Sequence, residues 1–399
     1  MQNSQKIWQL VDARREAYEA LSDRIWEMPE ICYTEYRSVA EHRAMLEEEG
    51  FRITENLAGI PTAVMGEAGE GGPVIAILGE YDALPGLSQV AGIAAPQELT
   101  PGGPEIVLHG RGGEQGRRTQ HVMAAAPHLG RSALDAVELM NVGVNYMREH
   151  MPSDARIHYA MIDGGGVAPN VVQASARVRY AVRARDLPGM RALVERVRKV
   201  AAGAAMMTET QVEAKVVSAV SNLLGNTPLE QSMQRQMDQL GAPPFDAADR
   251  KYAAEIQATL TFEDIASAYA RAGMAPRKDT PLCDFVVPFG TVGAPMMGST
   301  DVGDVSWVVP TVQARVATHA IGTPGHSWQI TAQGKSGQAK KGMVHAAKLM
   351  AGVAVDALAD PELVARAKAD HKARTEATPY DCPLPADVKP PIQPKPEAA

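Results

Sequence analysis

Arg177-Val178-Arg179-Tyr180-Ala181-Val182-Arg183 alternates without a break: Val178, Tyr180 and Val182 on one side, Arg177, Arg179 and Arg183 on the other. A two-residue period predicts a strand with one buried and one solvated face. Its neighbours decide how the middle of the chain folds. Upstream, Arg156–Ile162 alternates in the same way through Ile157, Tyr159 and Met161, and Gly164-Gly165-Gly166 ends it. Before that, Leu134, Val137, Met140, Val144 and Met147 recur at helical spacing behind Ser132. Ser132 can cap this helix, with Asp135 three residues on as a capping-box-like partner. Downstream, Met190, Leu193, Val197, Val200 and Ala204 line a helix from about Gly189, and Gln211–Val217 alternates again. With Glu105–Leu108 as a short first strand, the order is βαββαβ. That is a split-βαβ, ferredoxin-like sandwich with an open sheet face or edge for a partner.

Around this unit lie two pieces of something larger. Val74-Ile75-Ala76-Ile77-Leu78 is a continuous apolar run, as expected of a strand buried on both faces of an α/β sheet. It ends at Glu80 and Asp82, carboxylates just past the C-terminal end of a buried strand, where α/β sheets usually place a ligand; a polar turn leaving the sheet is the alternative. Helices are expected at 5–28 and at 35–49, with Thr34 as N-cap and Gly50 as stop, and a strand at Thr62–Met65. Thr227-Pro228-Leu229-Glu230 reads as a helix start with Thr227 as N-cap. Helices to about 240 and over 248–273 follow, then an Ala/Met-rich core helix over Gly342–Leu358. From Thr378 prolines crowd an extended tail. The expected organisation is a catalytic α/β domain in two parts, 1–103 and 217–378, an inserted α+β domain at 104–216, and a tail at 379–399.

Composition narrows the function. At 399 residues the chain exceeds one ordinary core, in keeping with two domains. The net charge of -8 and only 5% aromatic residues argue against nucleic acid, which needs a basic stripe and stacking platforms. Cys32, Cys283 and Cys382 are scattered and form no CxxC pair, as in a reducing compartment. With no apolar signal segment and no run of membrane-spanning length, a cytoplasmic location is expected.

Gly298–Gln329 carries Asp301, Asp304, Trp307, His326 and Trp328 in a Gly/Pro-punctuated stretch. Gly325 and Pro324 before His326 could aim its imidazole into a cleft. Two readings stand: the wall of a site, or a solvated acidic turn with a structural His.

Several motifs resemble the M20 family of metal-dependent amidohydrolases. They are Leu78-Gly-Glu-Tyr-Asp-Ala-Leu-Pro-Gly86, Pro127-His-Leu-Gly-Arg-Ser-Ala-Leu-Asp-Ala-Val137 and Pro169-Asn-Val-Val-Gln173. Further along come Gly203-Ala-Ala-Met-Met-Thr-Glu209, Ser299-Thr-Asp-Val-Gly-Asp-Val-Ser-Trp307 and Gly322-Thr-Pro-Gly-His-Ser-Trp-Gln329. The resemblance implies a catalytic α/β domain, here with an incomplete sheet, and an inserted ferredoxin-like dimerisation domain. It implies hydrolysis of the amide bond of N-acyl or aminobenzoyl amino acids. Two divalent metals, zinc or manganese, and a Glu general base would do the chemistry. It implies a homodimer, or a heterodimer with an M20 paralogue.

By motif, His326 maps onto a family metal ligand. Asn170 and Arg183 map onto contacts to a substrate carboxylate, for which Arg offers two charge-assisted bonds; for Arg183 a solvated strand face is the alternative. His121 is the nearest match to the His that reaches across the dimer to the oxyanion, one residue out of register; His128 reads as structural. No residue maps onto a catalytic role. The family's His-x-Cys-Gly-His, Glu-Glu-Gly-Gly and His-Pro motifs have no counterpart between Gly86 and Pro127. His109, Glu114 and His121 are imaginable substitutes without supporting spacing. The divalent metals are therefore not expected to be fully bound by this chain, and the alternative function is a non-catalytic dimerisation or regulatory subunit paired with an intact paralogue.

Overall fold

The computed structural model describes residues 2–84, 89–97, 127–294 and 298–392. Helices α1 (Gln2–Ala13), α2 (Arg15–Glu27) and α3 (Tyr36–Glu48) open the chain, and the hairpin β1 (Arg52–Glu55) and β2 (Val64–Glu67) follows. The expected helix over 5–28 is thus broken at Arg14, whose backbone leaves the helical region. Thr34 is not the N-cap of α3, because its hydroxyl donates back to the Ile31 carbonyl at 2.6 Å and Glu35 occupies the cap position.

The middle unit comprises α4 (Ala133–Arg148), β3 (Arg156–Asp163), β4 (Arg177–Arg183) and α5 (Leu187–Thr208). The Ser132 hydroxyl caps α4 by accepting from Asp135 N at 3.1 Å, and Asp186 caps α5 by accepting from Gly189 N at 2.9 Å. β3 and β4 pair antiparallel, Arg156 opposite Arg183 and Asp163 opposite Arg177. Val144, Met147, Ile157, Leu193 and Val197 form the buried core, with Tyr180 and Val182 packed against it. The alternation of β4 faces the way its pattern predicts.

The expected four-stranded sandwich is not formed among the described residues. Glu105–Leu108 lies outside them, and Gln211–Val217 forms no strand, with Val212 and Val217 exposed. In a split-βαβ sheet the last strand lies beside the first, so alternation alone gives 211–217 no ladder. Val74–Leu78 departs more sharply from expectation. It is in no strand, and every residue of it is exposed. A parallel sheet forms only where sequence-distant strands stand on either side, and none does among the described residues.

The body is helical: α6 (Thr227–Leu240), α7 (Ala247–Gln257), α8 (Phe262–Arg271), α9 (Val302–Val308), α10 (Trp328–Gln333), α11 (Gly337–Ala359) and α12 (Pro361–Ala377). The cap of α6 is Asn226, one residue before the expected Thr227; it accepts from Leu229 N and is fully buried. The expected 248–273 helix is two, because Thr261 and Asp264 form a capping box that restarts the chain as α8. α11 is long and apolar enough to cross a membrane by length and composition. In this fold it packs against α1, α6 and α12, with Val344, His345, Leu349 and Val353 buried. The architecture among the described residues is a helix-rich α/β fold with two small antiparallel sheets.

Candidate active-site region

α9 is where the acidic stretch becomes structure. Gly303 is buried so closely against the 221 backbone that an added Cβ would lie 2.1 Å from the Ser221 carbonyl oxygen. That approach lets Asp304 reach the same segment. Its carboxylate accepts from Ser221 N at 3.0 Å, from Ser221 Oγ at 2.7 Å and from the Tyr380 hydroxyl at 3.0 Å. Ser306 Oγ accepts from Leu224 N at 2.8 Å, and Trp307 Nε1 donates to the Asn222 carbonyl at 2.8 Å. Trp307 also stacks on Tyr380, ring centroids 6.3 Å apart. Asp304, Ser306 and Trp307 are therefore fastened to residues 221–224 and to the start of the tail. Burial, the Cys382 side chain and Asp304 together push the Tyr380 hydroxyl far above its ordinary range. The tail is pinned a second time where Asp381 pairs with Arg191 of α5 at 2.6 Å.

Asp301 is different. It is exposed and meets the other acidic stretch of the sequence, residues 80–82. Thr300 Oγ1 lies 3.5 Å from Glu80 Oε1 and 3.4 Å from Asp301 Oδ1. The Asp301 carboxyl, partial burial and the charge of Asp82 push the Glu80 carboxyl above its usual range. Ala83 N donates to Glu30 O at 2.7 Å, which sets this stretch beside residues 30–32. Burial, then Asp82 and Glu35, raise the Cys32 thiol, so it is held as a thiol rather than a reactive thiolate. Glu35 is buried, and its Oε2 has no hydrogen-bond partner among the described residues. Glu35 and Cys32 carry no motif that marks them in the sequence; in the structure the chain turns beside them through Tyr33, at φ 66°.

The structure does not bring Arg183 and Asn170 together. His326 has φ 58° and an exposed side chain at the turn before α10, whose cap is Ser327. Trp328, partly buried, packs against the core cluster of Phe245, Ala253, Ile256, Leu282 and Ala320. Arg183 ends β4 opposite Arg156. Asn170 is exposed in the connection that leaves the other end of the ladder, and six strand steps of about 3.3 Å separate those ends, roughly 20 Å. His121, His109 and Glu114 lie outside the described residues. Among the described residues, no three His, Cys, Asp or Glu side chains are grouped to hold a metal ion. A two-metal centre needs about five such donors from separate loops, so His326 and the described residues do not fit it.

No family model matches the chain. Known proteins do. The chain is 35% identical over 476 aligned positions to one of the subunits of the p-aminobenzoyl-glutamate hydrolase of Escherichia coli (strain K12), across 97% of this chain and 99% of the relative. It is 23% identical to Xaa-Arg dipeptidase of Mus musculus, across 92% of this chain and 91% of that protein. The chain belongs to the M20 family of metal-dependent amidohydrolases. It is similar in particular to the bacterial hydrolase subunit, with one quantitative difference. The 476 aligned positions exceed this chain's 399 residues, so at least 77 of them fall opposite gaps in it.

Proposed function

We propose that this chain serves the hydrolysis of the amide bond of N-acyl or aminobenzoyl amino acids as a substrate-binding, dimer-forming subunit. A complete M20 paralogue would carry the zinc or manganese centre. Support comes from the donor set: a chain similar over nearly its whole length to a hydrolase subunit has no group of three metal-ligating side chains among its described residues. The unit from α4 to α5 is then the dimerisation domain. Arg183 contacts a substrate carboxylate at one end of its ladder, Asn170 acts from the other end, and His121 reaches a partner's site. The cytoplasm is the proposed location.

A second reading, an amidohydrolase that works alone, is favoured by the extent of the 35% identity and by His326 in its motif. The experiment is hydrolysis of p-aminobenzoyl-glutamate, with zinc or manganese, by this chain alone and mixed with an intact paralogue. We expect no turnover from the chain alone, and for the mixture a KM that rises on Arg183→Ala in this chain. Chelator-sensitive turnover by the chain alone would reject the subunit reading.

A further inference from the structure

Tyr380 and Asp381 are neighbours in the tail, yet they grip different parts of the fold. Tyr380 donates to Asp304 of α9 at 3.0 Å and stacks on Trp307. Asp381 meets Arg191 of α5 twice: its carboxylate pairs with Nη1 at 2.6 Å, and its carbonyl accepts from Nη2 at 3.0 Å. The two grips differ in strength. The α9 junction is held from several directions, because Asp304 also accepts from Ser221, and His371 Nε2 of α12 lies 3.1 Å from the Ser306 carbonyl oxygen. At the other grip Arg191 and Asp381 are 43% and 73% exposed, so their ion pair is open to water and salt.

The parts so joined are packed separately. α4, β3, β4 and α5 pack on one another, as do α6, α11 and α12, and among the described elements the packing is extensive within each group and sparse between them. The tail therefore crosses a junction where a single grip can matter. Pro379, Pro383 and Pro385 on either side of Tyr380-Asp381-Cys382 restrict the backbone there, so little freedom is lost when both grips form.

We propose that the tail is a releasable strap: Tyr380 anchors it on α9, and Asp381 clips the α4–α5 unit to the helical body through Arg191. An exposed ion pair shifts such an equilibrium by up to about fivefold, so the strap biases one arrangement of the two parts without locking it. Arg191 lies near the start of α5, just after the β4 end that carries Arg183, so the clip also steadies that end. This last consequence rests on the proposed function; the strap does not.

The test is an electron spin resonance distance measurement on the full chain, with Cys32, Cys283 and Cys382 changed to Ser. Spin labels are placed at Glu138→Cys on α4 and Lys372→Cys on α12, both exposed. Dilution into excess unlabelled chain limits the signal to distances within one chain. Asp381→Arg or Arg191→Asp is expected to broaden the distance distribution with an unchanged far-ultraviolet spectrum, and the charge swap carrying both is expected to narrow it again. Raising salt from about 0.1 M to about 1 M should broaden it without any substitution at the clip. A distribution that Asp381→Arg leaves unchanged overturns the proposal, and so does a broadening that the swap does not reverse. If Asp381→Arg broadens the distribution while the KM of the mixture with an intact paralogue stays the same, the strap stands and its link to Arg183 fails.

Discussion

Replacing Asp304 by Ala separates the two readings of the acidic stretch. If Asp304 were a free carboxylate lining a cleft, its loss would cost almost nothing in stability. In this structure it accepts three hydrogen bonds, two of them from Ser221, which is only 4% exposed. A bond to a charged group contributes about 1.5–3 kcal/mol, and a buried donor left unsatisfied costs about 1–3 kcal/mol. The Ser221 N–H and hydroxyl would both be orphaned, while the Tyr380 hydroxyl could turn to water. The expected loss is about 3 kcal/mol, with Asp304→Asn intermediate because one amide oxygen still accepts while the NH2 group faces donors. Urea unfolding followed by tryptophan fluorescence reads it, since Trp307 sits in the same junction. A second readout is phenol titration: Asp304 is one of the groups that raise the Tyr380 hydroxyl, so Asp304→Ala should lower its titration midpoint. A change of less than about 0.5 kcal/mol, with Tyr380 titrating unchanged, would refute the structural assignment.

Glu80→Gln should act oppositely. The raised Glu80 carboxyl favours its neutral form in the fold. Its contribution is thus present at acid pH and lost as pH rises through its titration. The substitution should add stability at neutral pH, less than about 1 kcal/mol after solvent screening, and nothing at acid pH, as checked by urea midpoints at the two pH values. Burial holds the imidazoles of His345, His319 and His42 below their ordinary range. The unfolded chain binds those protons first, so stability should be full above the ordinary imidazole range and fall as pH drops through it, in a pH series of thermal melts. Leu349, on α11 and 1% exposed in a cluster with Met233 and Val353, should cost about 3 kcal/mol as Leu349→Ala in urea unfolding.

What is legible in the sequence is local. The Ser132 cap of α4 and the alternation from Arg177 to Arg183 state their structure within a few residues, and both are observed, although the Asp135 carboxylate does not close a capping box back onto Ser132. α12 is hard to read although Asp360-Pro361-Glu362 is a good start, because its surface is polar nearly all round and only Leu363 and Ala367 are buried. Val74–Leu78 reads as buried because apolar runs usually are, yet burial needs neighbours that the run itself does not specify. The meeting of Glu80 with Asp301, 221 positions apart, could be suspected from two acidic motifs. The tie from Asp304 to Ser221 could not, since it depends on Gly303 letting two backbones touch.

The most direct test of the subunit assignment is metal content per chain, by elemental mass spectrometry after exposure to zinc and manganese and desalting. Less than about a tenth of an equivalent is expected, since structural metal affinity requires a complete ligand set. Two equivalents per chain, lost on His326→Ala, would contradict the assignment and make this chain a metallohydrolase in its own right.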